Sequence, residues 1–304
     1  MKKKILVRAP CLSQSGYGEQ SRFALRALKS REDLFDIYIV PINWGKTGWI
    51  WEESEFREWM DSKIHKTHAL IQSKQLTADI SLQITIPNEW EKLAPINIGY
   101  TAGIECDRVS PQWLPKGNEM DKILVVSEHA KKTFVETVAN AKNQQTGQIV
   151  EYRLQKEVVV VHECTPKAPP LSIEELDLKT DFNFLCVSQW GPRKNLENTI
   201  KWWIEEFIDQ KVGLILKIST VNNSISDYDA TNKKLAAILS EYKDRKCKVY
   251  LLHGDLSASQ MSYLYEHEKI KSLINLSHGE GFGLPLFEAV CNGLPVIAPG
   301  WSGQ

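Results

Sequence analysis

Ser277-His278-Gly279-Glu280-Gly281-Phe282-Gly283-Leu284-Pro285-Leu286-Phe287-Glu288-Ala289 follows the apolar run 272–276 and leads into another apolar stretch. The run before it reads as a strand and the stretch after it as a helix. Gly279, Gly281 and Gly283 carry no side chains, so the backbone there can approach a ligand closely. Pro285 suits a first helical turn, where its missing N–H is not needed. Asn292-Gly293 supplies the stop. A helix N-terminus placed just after a strand offers free N–H groups and a positive dipole end, a ready site for a pyrophosphate. Glu280 falls in the loop and Glu288 one to two turns into the helix. Each carboxylate can accept hydrogen bonds from sugar or ribose hydroxyls.

The same strand-then-helix rhythm runs through the whole chain, as parallel sheets covered by helices require. Before residue 164 the pattern predicts strands over 4–8, 36–40, 80–85, 96–100, 122–126 and 157–161. Helices are expected near 20–28, 52–60 and 128–138, the last capped by Ser127. The polar, aperiodic segment 140–152 reads as an exposed loop or edge excursion. Three prolines, Pro166, Pro169 and Pro170, then disfavour helix and central strand alike. A second alternation follows, with strands over 182–187, 213–218, 248–252, 272–276 and 295–298. Its helices are expected over 196–208, 230–242, 259–265 and 285–291. The expected organisation is an α/β chain of two Rossmann-like parallel-sheet domains facing a cleft. Residues 1–164 form the first domain, 165–180 the linker and 181–304 the second domain. Ligands of such sheets bind beyond the carboxyl ends of the strands.

Composition narrows the class of function. The 304 residues suit two ordinary domains. A hydrophobic share of 42% supports a core without staples, and a net charge of −1 argues against a nucleic-acid partner. Lys2, Lys3 and Lys4 imitate a signal peptide, but Arg8 interrupts the apolar run at once. No stretch is long enough to span a membrane. A cytoplasmic protein is expected, with peripheral membrane contact left open. The six cysteines lack metal-ligand spacing and read as reduced thiols. Asp227-Tyr228-Asp229 sits in a polar stretch after Thr220 and reads as helix capping rather than a metal site.

The acidic pair resembles the Glu-x7-Glu motif of the retaining glycosyltransferases of family 4, which have the GT-B fold. The resemblance implies transfer of a sugar from a nucleotide-diphosphate sugar to a hydroxyl on a glycan, lipid or small molecule, giving an α-glycosidic bond. It implies that Glu288 binds the ribose and Glu280 the transferred sugar. Gly281, Phe282, Gly283 and Leu284 would line the donor, with the Gly283 and Leu284 amides facing sugar or phosphate. No metal and no cofactor beyond the donor are implied. Pro299-Gly300-Trp301-Ser302-Gly303 also resembles the stretch that follows in one branch of that family. Members usually continue with further helices, so a C-terminally short donor domain is expected.

Other segments agree. Arg193 and Lys194 follow the strand 182–187, and adjacent cations suit a leaving diphosphate. They are poorly placed at a helix N-terminus unless an anion partners them. Gly16 and Gly18 suggest a flexible loop; Ser21 spoils a dinucleotide fingerprint, and the resemblance sets this loop over sugar and phosphates. The stretch 99–113 resembles a loop in which many members carry a His. Here Glu105 stands instead, as an acceptor or sugar contact or as an ion-pair partner of Arg108. Trp44, Trp49, Trp51 and Trp59 read as core contacts or as an acceptor platform. His278 is a pH-responsive group, a sugar ligand or a plain loop residue. A nucleotide-sugar epimerase of the same fold and a non-catalytic nucleotide-sugar-binding protein stay open as alternatives.

Overall fold

A computed structural model describes residues 2–142, 147–165, 168–174 and 176–304. Parts of the expected linker, at 166–167 and 175, and of the segment 140–152, at 143–146, lie outside the described residues. The chain packs as two compact units, Met1–Cys164 with Gly303, and Thr165–Ser302 with Gln304.

In chain order the first unit comprises β1 (Lys3–Ala9), α1 (Gly16–Lys29), β2 (Phe35–Pro41), α2 (Glu55–Gln72), β3 (Ile80–Ile84), β4 (Ile96–Thr101), α3 (Trp113–Glu119), β5 (Lys122–Val125), α4 (Glu128–Glu136), β6 (Val138–Lys142), β7 (Ile149–Arg153) and β8 (Val158–Val160). Among the described residues its main sheet is six-stranded, in the order β2-β1-β3-β4-β5-β8. Every pairing within it is parallel. Strands such as Ile5-Leu6-Val7 and Ile37-Tyr38-Ile39 are buried through successive residues, as expected where helices cover both faces. One core gathers Trp90, Trp113, Leu114, Ile123 and Phe134 from the β4, β5, α3 and α4 region. Gly99 is needed there, because a Cβ would sit 2.6 Å from the Trp90 ring.

The second unit comprises β9 (Asn183–Gln189), α5 (Leu196–Phe207), β10 (Gly213–Ser219), α6 (Ile225–Leu239), β11 (Lys248–His253), α7 (Ala258–Glu266), β12 (Ile270–Ile274), α8 (Leu284–Cys291) and β13 (Val296–Ile297). Its described strands form one parallel sheet, β11-β10-β9-β12-β13. One face packs Phe184, Leu214 and Leu216 against Ile200, Trp203 and Leu235 of α5 and α6. The other packs Leu185, Ile215 and Leu273 against Leu264 of α7 and Leu286 of α8. Both units are therefore α/β with parallel sheets. Among the described residues no helix is long and apolar enough to cross a membrane.

Three local expectations need correction. The segment 140–152 is not simply a loop: β6 and β7 pair antiparallel, Val138 opposite Arg153. Its outward Val138, Ile149 and Val150 show that β-propensity here operates without burial, which is why periodicity missed it. Gly16 and Gly18 are not a flexible loop but the first turn of α1, capped by the Ser15 hydroxyl, which accepts from the Gly18 amide at 3.1 Å. The helix expected over 230–242 begins earlier, at Ile225, so Asp227 lies in the first turn of α6, which Ser224 caps.

Candidate functional site

The second sheet sets the location. From β9 the chain moves outward through β10 to β11, then returns to the other side of β9 as β12 and β13. The loops after β9 and β12 therefore leave their neighbouring strands in opposite directions. Such a switch point opens a crevice at the carboxyl ends, where ligands of open parallel sheets bind.

Those two loops carry the predicted charges. After β9, Pro192–Lys194 forms a single 3-10 turn that ends on Asn195 in the left-handed region, φ 51°. Asn195 donates through Nδ2 to the Leu276 carbonyl at 3.1 Å, and the His278 amide donates to the Arg193 carbonyl at 2.9 Å. The two loops are thus tied by backbone as well as by charge. After β12, Asn275 Oδ1 accepts the Ser277 amide at 2.9 Å, and the Glu280 amide donates to the Ser302 hydroxyl at 2.9 Å. Gly283 then takes φ 88° and opens α8, with Pro285 in the first turn. A Cβ on Gly283 would come within 2.9 Å of Leu286 Cδ1, a side-chain end that can shift, so it is the left-handed backbone that calls for glycine.

Glu280 lies at the centre. Lys194 Nζ donates to both of its oxygens, at 2.6 and 2.8 Å. Arg193 Nη1 donates to Glu280 Oε2 at 3.0 Å and to the Gly279 carbonyl at 2.8 Å. The Glu280 side chain is only 7% exposed. Burial pushes its pKa up, but the charges and hydrogen bonds of Lys194 and Arg193 together outweigh burial and hold it below the usual carboxylate range. The carboxylate thus stays ionised between two cations, and the trio keeps one net positive charge. Arg193 is 40% exposed.

Glu288 projects from α8 and accepts the Tyr265 hydroxyl of α7 at 2.8 Å. Burial, then the Glu288 charge, raises the Tyr265 pKa, so the phenol remains a donor. Gly281 is buried, while Phe282 and Leu284 are half-buried. The Phe282 ring meets Phe287 edge-on, centroids 5.3 Å apart. The structure therefore gathers Arg193, Lys194, Glu280 and the Gly281–Leu284 turn at one switch point, with Glu288 one helix face on. Sequence reasoning missed Tyr265, which only tertiary packing brings to Glu288. It also missed Ser277, whose buried hydroxyl has no partner among the described residues.

Asp227 is a brace. Its carboxylate accepts the Thr220 and Val221 amides and His253 Nε2 at 2.8–2.9 Å, locking the loops after β10 and β11. Among the described residues no group of three or more His, Cys, Asp and Glu side chains is arranged to hold a metal ion.

In the first unit the predicted positions take different roles. Gly18 is packed so closely that a Cβ would lie 1.9 Å from the Ser13 carbonyl oxygen. Buried Arg22 donates to the Cys11 and Ser13 carbonyls, both at 2.9 Å, so the loop after β1 is braced from beneath. Gly16 has open space around it. Glu105 is half-buried in the segment after β4, and its charge acts on the Tyr17 phenol. Arg108 pairs with neighbouring Asp107 at 3.4 Å, both strongly exposed. Tyr17 meets the Thr101 hydroxyl at 2.7 Å and accepts the Ala102 amide, joining α1 to the end of β4.

No protein-family model matches the chain, and no curated protein does either. Solved structures do. OtsA in its apo form aligns at TM-score 0.59 with 11% identity, over 99% of this chain and 85% of that one. The catalytic domain of starch synthase IV from Arabidopsis thaliana, bound to ADP and acarbose, aligns at 0.56 with 12% identity, over 99% and 83%. The lipopolysaccharide outer core galactosyltransferase WaaB aligns at 0.54 with 14% identity, over 100% and 82%. The chain spans 45% of the longer pneumococcal O-GlcNAc transferase GtfA. These neighbours are GT-B glycosyltransferases, and at such low identities the likeness speaks for the fold.

Proposed function

We propose that this chain transfers a sugar from a nucleotide-diphosphate sugar to a hydroxyl acceptor, as a retaining GT-B glycosyltransferase of family 4. One observation carries the reading: two cations, Arg193 and Lys194, converge on buried Glu280 at the switch point of the second sheet. That trio retains a positive charge and joins the loop after β9 to the loop that opens α8, a combination suited to a diphosphate. The starch synthase neighbour, which holds ADP, supports the same reading.

In the proposed reaction the bond between the sugar C1 and the diphosphate oxygen breaks. A bond from the acceptor oxygen to C1 forms on the same face, giving an α-glycosidic product. The acceptor proton passes to the departing phosphate oxygen. Arg193, Lys194 and the amides at the start of α8 stabilise the charge that develops on the leaving group. Glu280 keeps the two cations in place and presents an oxygen to the transferred sugar, while Glu288 accepts from the ribose. The second unit is the donor side and the first the acceptor side. No metal ion takes part in this step.

The test is a thermal-shift screen with UDP, GDP, ADP and their sugars, followed by an assay of nucleotide-diphosphate release with and without acceptor. Stabilisation by one nucleotide and release that depends on acceptor are expected. Absence of any stabilisation would overturn the donor site. Sugar isomerisation without acceptor would assign the chain to the epimerases.

A further inference from the structure

We propose that the loop 42–54 is a carbohydrate-binding platform, so that the acceptor of the proposed transfer is a glycan whose sugar rings stack on Trp49 and Trp51. This inference rests on the transferase reading. Trp51 is 92% exposed and Trp49 61% exposed. Large indoles left in water are unusual, and mobile loops are where such exposure carries least meaning. This loop is pinned. The Gln14 amide donates to the Gly48 carbonyl at 2.9 Å, and the Ile50 amide to the Leu12 carbonyl at 2.8 Å, which makes an antiparallel bridge between Ser13 and Trp49. The Ser13 and Thr47 hydroxyls meet at 2.7 Å. From the other side Arg57 of α2 donates to the Ile50 carbonyl at 3.0 Å. Trp44 packs on Tyr17, ring centroids 4.2 Å apart.

Next to this bridge Trp49 and Trp51 are exposed with half-buried Ile50 between them, the alternation of an extended chain. Residues two apart on an extended chain are spaced by about 7 Å, a span that neighbouring sugar rings of an oligosaccharide can cover. The apolar C–H face of a pyranose ring suits an indole face, and its hydroxyl edge needs hydrogen-bond acceptors. Glu52 and Glu53, both exposed, follow at once. Glu52 is not free to wander: the Ser54 hydroxyl donates to its Oε1 at 2.7 Å.

Position and charge favour this occupant. The loop leaves the carboxyl end of β2 and is tied to the loop after β1. The first sheet has its own switch point between β1 and β3, where ligands of such sheets bind. The exposed charges beside Trp51 are mainly Glu52, Glu53, Glu55 and Glu58, with Lys46 the exposed cation on the loop. An anionic bilayer would be repelled by that set, whereas a neutral polyol is well served by carboxylate acceptors.

The experiment is affinity electrophoresis of the full chain through gels containing a neutral α-glucan, β-glucan, mannan or galactan. At least one polysaccharide should retard the wild-type protein. In the Trp49→Ala/Trp51→Ala double variant the apparent Kd should rise at least tenfold, about 1.4 kcal/mol. A Trp49→Phe/Trp51→Phe variant, which keeps aromatic faces, should retain most of the affinity. Thermal shifts with UDP, GDP and ADP should be the same in all three proteins, which also reports that the variants fold. The platform is refuted if no polysaccharide retards the protein or if the double alanine variant is retarded equally. It is also refuted if the tryptophans instead govern co-sedimentation with phosphatidylcholine or phosphatidylglycerol vesicles, or self-association by size exclusion. Failure here with intact nucleotide shifts leaves the transferase reading standing. Loss of all nucleotide shifts in the wild type sinks that reading whatever the gels show.

Discussion

Glu280→Gln isolates the charge at the centre of the site while keeping its size. The wild-type carboxylate takes two bonds from Lys194 and one from Arg193 at 2.6–3.0 Å, in a side chain 7% exposed. The variant leaves two adjacent cations without their shared anion. Removing one member of a buried pair costs about 3–5 kcal/mol. Arg193 is 40% exposed, so solvent screens its share and about 2–3 kcal/mol remains. For a unit of this size the melting temperature at pH 7 should fall by roughly 5–10 °C. The pH dependence has a definite sign. The folded-state pKa of Glu280 is depressed, because Lys194 and Arg193 outweigh burial. Its contribution is therefore present above the unfolded value of about 4.3 and is lost as pH falls through the lower folded value. The gap between wild type and variant should narrow as pH drops below about 4. The freed cations should also bind anions better, so inorganic pyrophosphate should stabilise the variant more than the wild type. Scanning fluorimetry at neutral and acid pH, with and without pyrophosphate, reads all three effects. A melting temperature within about 1 °C of wild type at pH 7, or a gap unchanged by acid, refutes the charge argument.

Gly18→Ala and Gly16→Ala form a contrasting pair. The first forces a methyl to within 1.9 Å of the Ser13 carbonyl oxygen and should cost about 3 kcal/mol or more in urea unfolding. The second meets nothing within 4 Å at a helical position and should be neutral or stabilising by up to about 1 kcal/mol. Tyr265→Phe removes the hydroxyl that holds Glu288, at a cost of about 1.5 kcal/mol. It should weaken nucleotide binding several-fold by calorimetry, and unchanged affinity would detach Glu288 from the ribose. Burial lifts the Cys11 thiol to about 11 and the Cys186 thiol to about 12. Maleimide at pH 8, read by mass spectrometry, should therefore modify exposed Cys106 and Cys291 in the folded protein and reach Cys11 and Cys186 only after unfolding.

Much of the second unit was readable because its signals are local. A strand, three glycines, Pro285 and an acid eight residues on describe one strand–turn–helix, and neighbouring residues decide its geometry. Arg193 and Lys194 stood out because cations beginning a helix oppose its dipole unless an anion answers them. The answer, Glu280, lies 87 residues along the chain from Arg193, and no periodicity reveals that pairing. Tyr265 was invisible for the same reason. The Asp227 stretch read as helix capping, and Ser224 is the cap, but the three acceptor bonds of Asp227 to the neighbouring loops come from strand order alone.

The first unit was less legible in the loops beyond its strand ends, and the reason is physical. Phosphate recognition reuses one arrangement, amides at a helix start with cations nearby, so its residues fall close together in sequence. An acceptor surface has no fixed chemistry and is assembled from separate loops. Glycine at 16 and 18 suggested mobility, yet Gly18 is there because the Ser13 carbonyl leaves no room for a Cβ. Composition likewise left the tryptophans of 44–59 open between core contacts and an acceptor platform. The fold divides them: Trp44 packs at a tilt on Tyr17 and Trp59 stacks on Phe56, while Trp49 and Trp51 stand exposed on a loop pinned at both sides. The pinning is what gives the exposure meaning. A tryptophan on a slack loop can shelter its ring by moving, but one held by the Leu12–Ile50 and Gln14–Gly48 bonds cannot. The inference therefore rests on the restraint as well as on the ring, and a variant that loosens the loop without touching either indole tests it separately. Thr47→Val removes the hydroxyl bonds to Ser13 and to the Trp44 carbonyl. It should weaken glycan retention through disorder of the platform, with the nucleotide shifts unaltered. Retention equal to wild type would show that the rings act without the brace.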